Sequence, residues 1–422
     1  MKKYILYMFL FTLALGSCKK NETETANVDD RLSAALTAYQ TELTGAQYGW
    51  KGYLLTDSKI SATFLMKFTS SNRTTMSADY LTTPKESSYR LKALQRPMLL
   101  FDTYSTLHLL ADPTPSKFGG ETGDGYFSDF EFAFVSASPD TIKLEGTFNK
   151  SKLVLVRSKS DADNASAFTA GEQIADILSR LLTYFKRSTI GGIECELRVD
   201  PANNVFGFNY LDGGVLKTAS SNYYVSGNKI NLFNPITIGN TVISALEDVS
   251  FDAGANVINT KISGGSAIQI REAIAPLKYD INGASSWRAW AAASTYVSSE
   301  LGFHINGVDD ALNLRSLAGY VRIDYQPNLS APYDGARIRA AASYGPAILP
   351  TITAGGIAIF PNSGFQFGTI PAAAATIYAK YLAQYTQPQG YYLIQTNGGT
   401  TQTITYDMVS VSDAKAWVSW HY

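Results

Sequence analysis

Apolar and polar residues alternate with a period of two along most of this chain, and the alternation is broken by glycine-rich turns and by stretches with helical spacing. Over 63–68, Phe64, Met66 and Phe68 fall on one face of an expected strand, and 70–73 turns it back into 75–79. Over 129–134, Phe130, Phe132 and Phe134 point one way while Asp129 and Glu131 point the other, the pattern of an antiparallel sheet covered on one side. Further strands are expected over 49–56, 98–102, 106–110, 140–146 and 152–157, with a long Pro/Gly/Asp-rich surface loop over 113–125.

Two helices punctuate this series. Leu32, Ala35, Leu36, Tyr39 and Leu43 recur at three and four, predicting a helix over 31–43 that Asp29 or Asp30 caps and Gly45 ends. Ile174, Ile177, Leu178, Leu181, Leu182 and Phe185 form the stripe of a second, opened by a Thr169/Glu172 capping box and stopped by Gly191-Gly192. Strands then resume over 192–199, 205–211, 221–225, 229–233, 241–246, 256–263 and 267–271.

The second series echoes the first. Ile142-Lys143-Leu144-Glu145-Gly146 with Leu153-Val154-Leu155-Val156-Arg157 returns as Thr260-Lys261-Ile262-Ser263-Gly264 with Ala267-Ile268-Gln269-Ile270-Arg271. A helix laid on a sheet buries both apolar faces, so each half reads as one packing unit. The fold class expected is α+β, predominantly antiparallel β, with tandem β-meander modules each preceded by an amphipathic helix. A third part starts near 283: Ser285 or Ser286 caps a helix carrying Trp287, Trp290, Val297 and Leu301. Strands over 320–325, 336–342 and 356–360 follow, then a helix opened by Pro371 and strands over 391–396 and 403–411.

The first residues change the picture from fold to location. Lys2 and Lys3 precede an uncharged apolar run over 4–15, and Leu15-Gly16-Ser17 leads into Cys18. A dozen apolar residues fall short of the roughly 20 that span a bilayer. The pattern is that of an export signal with small residues before a lipid-accepting cysteine. Acyl chains on Cys18 would anchor the protein, each buried methylene contributing about 0.8 kcal/mol. The chain thus divides into signal peptide 1–17, lipidated tether 18–30, helix-plus-sheet domains 31–160 and 161–282, and an α+β domain 283–422. The tether is polar and acidic and has too few apolar residues for a core. Outer-membrane, cell-surface attachment is the expected location.

Composition then removes several function classes. The formal charge is −1, or −3 once Lys2 and Lys3 leave with the signal, and no basic stripe stands out, so nucleic acid is not an expected partner. With Cys18 lipidated, Cys195 has no disulfide partner. It alternates with Ile193, Leu197 and Val199 on an apolar face, as a buried inert thiol does. His108, His304 and His421 are far apart, so no zinc motif exists, and nucleophile elbows and phosphate loops are absent from the sequence.

The N-terminal half carries a recognisable order of motifs. Gly49-Trp50-Lys51-Gly52-Tyr53, Met66-Lys67-Phe68 and Ser87-Ser88-Tyr89-Arg90-Leu91-Lys92 come first, then Phe101-Asp102-Thr103-Tyr104-Ser105 and Leu109-Leu110-Ala111-Asp112-Pro113. Ser128-Asp129-Phe130-Glu131-Phe132 and Gly146-Thr147-Phe148-Asn149 complete the series. This resembles a domain-of-unknown-function family of Bacteroidota lipoproteins encoded beside starch-utilisation-type uptake loci. The resemblance implies, as partners, a TonB-dependent channel and its lipoprotein lid. It supplies no catalytic or binding residue.

Candidate chemistry is therefore sparse. Glu121, Asp124 and Asp129 on a flexible loop are a weak calcium candidate without EF-hand spacing, and a solvated turn fits them better; no other cofactor is expected. Trp50, Tyr126, Phe127, Trp287 and Trp290 are candidate ligand or partner contacts, although the tryptophans suit a core as well. Asp79, Asp102, Asp112 and Asp129 could supply a carboxylate pair. The favoured function is a non-enzymatic binding accessory of a glycan or peptide uptake system. The alternatives are a surface hydrolase using two carboxylates and a structural or adhesive surface lipoprotein.

Overall fold

The computed structural model describes residues 28–93, 96–201, 203–396 and 405–422. The signal, Cys18 and the tether up to residue 27 lie outside the described residues. The chain forms two compact units that divide between Ala165 and Ser166. The protein is α+β and predominantly antiparallel β.

The first unit opens with helix α1 (Val28–Thr44), which begins three residues before the expected 31–43. Strands β1 (Trp50–Leu55), β2 (Ser61–Phe68), β3 (Arg73–Ala78) and β4 (Leu81–Ala93) follow. Then come β5 (Pro97–Phe101), β6 (Glu131–Ala137), β7 (Thr141–Gly146) and β8 (Lys152–Arg157). Each pairs with its sequence neighbour, and β8 returns to β1 to close a barrel: Trp50 faces Met66 on one side and Arg157 on the other. The meander is thus not an open sheet covered on one side. Its apolar face wraps around itself, which satisfies both edges without a partner. Phe64, Met66, Met76, Leu99, Phe132 and Leu155 fill the interior.

Both mouths of this barrel are closed. Across one lies α1, with Leu43 buried, Tyr39 stacked on Phe134 at 3.8 Å, and Gln40 Nε2 donating to Tyr89 Oη at 2.8 Å. Over the other runs the connection 102–130, in which Thr106–Ala111 is a 3₁₀ helix rather than the expected strand. Leu107 and Leu110 are buried by it, and the Tyr80 hydroxyl donates to Thr106 O at 2.9 Å. Phe130 precedes β6 and is 40% exposed, so only Phe132 and Phe134 of that trio face inward. The long β4 carries Pro84, Lys85 and Glu86 on an exposed half, and its sequence gives little alternation to read.

In the second unit the helix α2 (Ala170–Ser179) is shorter than its stripe suggested. Thr169 Oγ1 donates to Ser166 O, and no capping box forms. Phe185 starts a strand, β9 (Phe185–Ile190), instead of ending the helix. It is followed by β10 (Ile193–Asp200), β11 (Val205–Asp212), β12 (Val215–Ser226) and β13 (Lys229–Ile238). Next come β14 (Thr241–Asp252), β15 (Val257–Ile262) and β16 (Ala267–Ala273). β9 pairs with both β10 and β16, so this meander is a closed barrel too. The sequence echo falls on the last two strands of each barrel, β7–β8 and β15–β16.

The C-terminal part of this unit contains α3 (Gly283–Ala293) and α4 (Ala375–Tyr385). One sheet among the described residues joins β17 (Val297–Ser299), β19 (Arg322–Ser330), β20 (Tyr333–Arg339), β21 (Ser343–Ile348) and β24 (Asn362–Phe367). The other contains β18 (His304–Ile305), β22 (Thr351–Ile352), β23 (Ala358–Ile359), β25 (Tyr391–Gln395), β26 (Tyr406–Ser410) and β27 (Ala416–Trp420). Val297 lies in β17 and Leu301 is exposed in a loop, so neither belongs to the tryptophan helix as expected. An aromatic core of Trp287, Tyr325, Phe360, Tyr381, Tyr385 and Trp420 holds this part together. Buried Asp334 accepts from the Tyr325 hydroxyl at 2.5 Å and from Arg288 at 3.0 Å, which leaves its charge paired.

Candidate functional site

The tryptophans expected as contacts are structural. Trp50 is buried in the first barrel, donating its indole N–H to Leu43 O at 2.9 Å while Arg157 lies 4.7 Å over its ring. Trp287 is buried and stacked on Tyr325 at 4.3 Å, and Trp290 is half-buried against Tyr406. A large ring beside a helix is worth more in a core than in water, and the core takes them. Tyr126 and Phe127 are half-buried; Tyr126 packs on the barrel core, and the Phe127 carbonyl accepts from Asp57 N and Ser151 Oγ.

The three acids of the calcium candidate do not converge. Asp129 is buried, its Oδ1 accepting from Phe148 N at 2.8 Å and Asn149 N at 2.9 Å, its Oδ2 from Ser151 N at 3.0 Å. Glu121 and Asp124 are exposed on a tight turn. Among the described residues no three His, Cys, Asp or Glu side chains are grouped to hold a metal. The other acids weighed as a catalytic pair are likewise committed locally. Asp79 accepts from Thr63 N at 2.8 Å, Asp102 pairs with Arg90, and Asp112 binds Tyr104, Thr114 N and Lys117. His108 is not in a strand: its ring is stacked between Tyr104 and Phe130, and Ser105 meets its Nδ1 at 2.9 Å.

A different place gathers the chemistry. Within the second unit, a recess of about 630 Å³ lies between the second barrel with its helix α2 and the sheet of β26 and β27. That volume is in the range of small-molecule pockets. Strand alternation assigns its walls. On β10, Cys195, Leu197 and Val199 pack with the barrel core, so Glu196, Arg198 and Asp200 project from the outer surface. On the facing sheet, Tyr406, Met408, Val418 and Trp420 belong to the aromatic core. Asp407 and Ser419, paired in register, therefore turn toward the recess. The helix contributes an apolar side through Ile174, Ala175 and Leu178.

The two walls are joined at Tyr184, whose hydroxyl donates to Asp407 Oδ2 at 2.5 Å and whose N–H donates to Ala414 O at 2.7 Å. Beside it, Phe185 packs with Val409 and Ala414. Burial dominates the electrostatics. It pushes the carboxyls of Asp407 and Glu196 up, raises Tyr184 well above the usual phenol range, and lowers Lys186 to about 8. Glu196 Oε2 still accepts from Leu277 N at 2.8 Å and lies 3.5 Å from Arg187. A ligand here would meet an apolar helix side, hydroxyls and carboxyls opposite, and two cations, Lys186 and Arg198.

Sequence reading did not single out Tyr184, Lys186, Glu196, Arg198 or Asp407. Glu196 and Arg198 sit on the polar face of an alternating strand, which ordinarily means solvent. Nothing local signals that residues more than 200 positions later cover that face. Cys195 lies where its alternation placed it, fully buried, with its thiol pushed up to about 11 by desolvation.

Fold and recess together define a tandem β-barrel protein with a ligand-sized cavity against its second barrel. The chain belongs to the family described as Domain of unknown function (DUF4302), whose model matches residues 23–249. The match covers the first barrel and runs into β14, so the wall carrying Asp407 and Ser419 lies beyond it. No curated protein matches the chain. Among solved structures, DNA polymerase III β-subunit sliding clamps align along its length. That of Bartonella birtlesii shows 8% identity over 92% of this chain and 97% of that chain, with a TM-score of 0.13. For Streptococcus pneumoniae the figures are 8%, 91%, 97% and 0.12. Such values carry no argument about fold or function.

Proposed function

We propose that this protein is a lipoprotein of the outer membrane, acylated on Cys18 and exposed at the cell surface, that binds a nutrient oligomer for an adjacent uptake channel. The observation that carries the binding role is the recess of the second unit, about 630 Å³ with an apolar side and a polar side. Mixed lining of this kind orients a ligand through a few polar groups while its body leaves water. The leader residues support the location: Lys2 and Lys3, an apolar run and Cys18 after Gly16-Ser17. The resemblance to lipoproteins encoded beside TonB-dependent channels is what favours such a channel as the partner. Two measurements test the reading. Intact-membrane pull-down is expected to recover a channel or its lid protein, and calorimetry of the purified protein is expected to detect binding of glycan or peptide oligomers. Absence of both would end it.

A second reading, a hydrolase working through Glu196 and Asp407, draws on one observation: both carboxyls line the recess and burial raises both. Release of product that Glu196→Gln and Asp407→Asn each abolish would establish that reading instead.

A further inference from the structure

The two barrels end differently beneath their helices. At the rim of the first, the inward residue of β1 is Trp50, and Arg157 sits opposite it on β8. The indole, held to α1 through Leu43 O and covered by the guanidinium, seals that mouth. At the rim of the second, alternation from Ile190 makes Lys186 the inward residue of β9, with Glu272 opposite it on β16. An ammonium on a flexible stem fills less space than an indole, and the recess reaches in at this point.

Lys186 is under-used there. Its Nζ donates to Thr183 O at 2.7 Å, and among the described residues it forms no ion pair. Glu272 acts on it only through space, since that carboxylate already accepts from Leu182 N at 2.6 Å and lies 3.7 Å from Lys415. An ammonium has three donors, so donors remain for an incoming acceptor. The same recess is lined by the apolar side chains of Ile174, Leu178 and Val199 and by the hydroxyl-bearing Thr396, Thr405 and Ser419, the first two sharing a hydrogen bond at 2.7 Å.

We propose that the recess takes the free C-terminal end of an oligopeptide, with the terminal carboxylate on Lys186 and an apolar last side chain against α2. The inference rests on the binding role just stated and specifies its ligand. A carboxylate attached to the same carbon as an apolar side chain is what a peptide C-terminus presents, and the hydroxyl wall suits the amides that precede it. A sugar ring offers no side chain to occupy the helix side.

Titration calorimetry with the full chain tests this using Gly-Gly-Leu, its C-terminal amide, Gly-Gly-Lys, maltotriose and trigalacturonate. Gly-Gly-Leu is expected to bind, with at least tenfold loss on amidation and a comparable loss for Gly-Gly-Lys. Lys186→Met is expected to weaken the free acid at least tenfold and leave the amide unchanged, while Leu178→Asp, at a half-buried position of the helix side, weakens both. A single cooperative thermal unfolding transition verifies that each variant is folded. Equal binding of acid and amide, or Lys186→Met without effect on the acid, overturns the proposal. Binding of a saccharide but no peptide overturns it while preserving the binding role; binding of no probe, with an empty pull-down, removes both.

Discussion

The carboxylate of Asp129 occupies the space into which any side chain on Gly146 would project. From that seat it gathers the backbone N–H groups of Phe148, Asn149 and Ser151 and so fixes the β7–β8 turn. The motifs Ser128-Asp129-Phe130 and Gly146-Thr147-Phe148-Asn149, which the sequence shows as separate, are one structural device. Asp129→Ala leaves buried donors unpaired and is expected to cost about 3 kcal/mol. Gly146→Ala is expected to cost about 1–3 kcal/mol by overpacking. The double variant should cost less than the two together, because truncating Asp129 to alanine removes the two atoms nearest the new methyl, Oδ2 and Cγ, and leaves only Cβ at 2.7 Å. Urea denaturation of the four proteins measures this, and strict additivity would refute the shared seat.

Lys186 makes stability depend on alkaline pH. Its ammonium is lowered to about 8 by desolvation, against 10.5 for an exposed lysine, with Glu272 opposing the shift. Below pH 8 both folded and unfolded chains hold the proton, and the folded state carries the full cost of the poorly hydrated charge. Between 8 and 10.5 the folded chain has released it while the unfolded chain has not. Stability is therefore expected to rise across that window, by at most about 3 kcal/mol from this group. Lys186→Met should be more stable than wild type at pH 7 and should lose this rise; denaturation midpoints at pH 7 and 10 compare them.

Tyr184→Phe removes the phenol that donates to Asp407 across the two walls of the recess. A buried carboxyl deprived of its donor is expected to cost about 1–3 kcal/mol. An unchanged melting temperature would show that the bond contributes little.

Cys195 is buried and its thiol is pushed up to about 11 by desolvation, with Glu194 adding to the rise. In a Cys18→Ser variant, thiol reagents at pH 8 are expected to leave the folded protein unlabelled and to modify it once urea unfolds it. The same variant tests the anchor: labelling with a radioactive fatty acid should mark the wild type alone, and a marked serine variant would contradict acylation at Cys18.

By itself the sequence determined what local chemistry encodes. Period-two alternation at Phe64, Met66 and Phe68 and at Cys195, Leu197 and Val199 gave strands and their inward faces, because a side chain's face depends only on its parity along the strand. Helical spacing over Leu32, Leu36, Tyr39 and Leu43 gave α1, and the echo of residues 142–157 in 260–271 marked the closing strands of two like modules. What tertiary structure alone decided is how those faces are covered. Closure of each sheet depends on β1 and β9 meeting strands about 100 and 80 residues away, and Phe185, which reads as the end of a helical stripe, starts a strand because β10 and β16 are beside it. Trp50 and Trp287 carry the same side chain whether they serve a core or a surface, and only packing settles which. Glu196 and Arg198 become part of a recess because Asp407 and Ser419 lie over them. That meeting is a long-range contact driven by burial of Phe185, Val409 and Ala414, and no short window of sequence contains both sides of it.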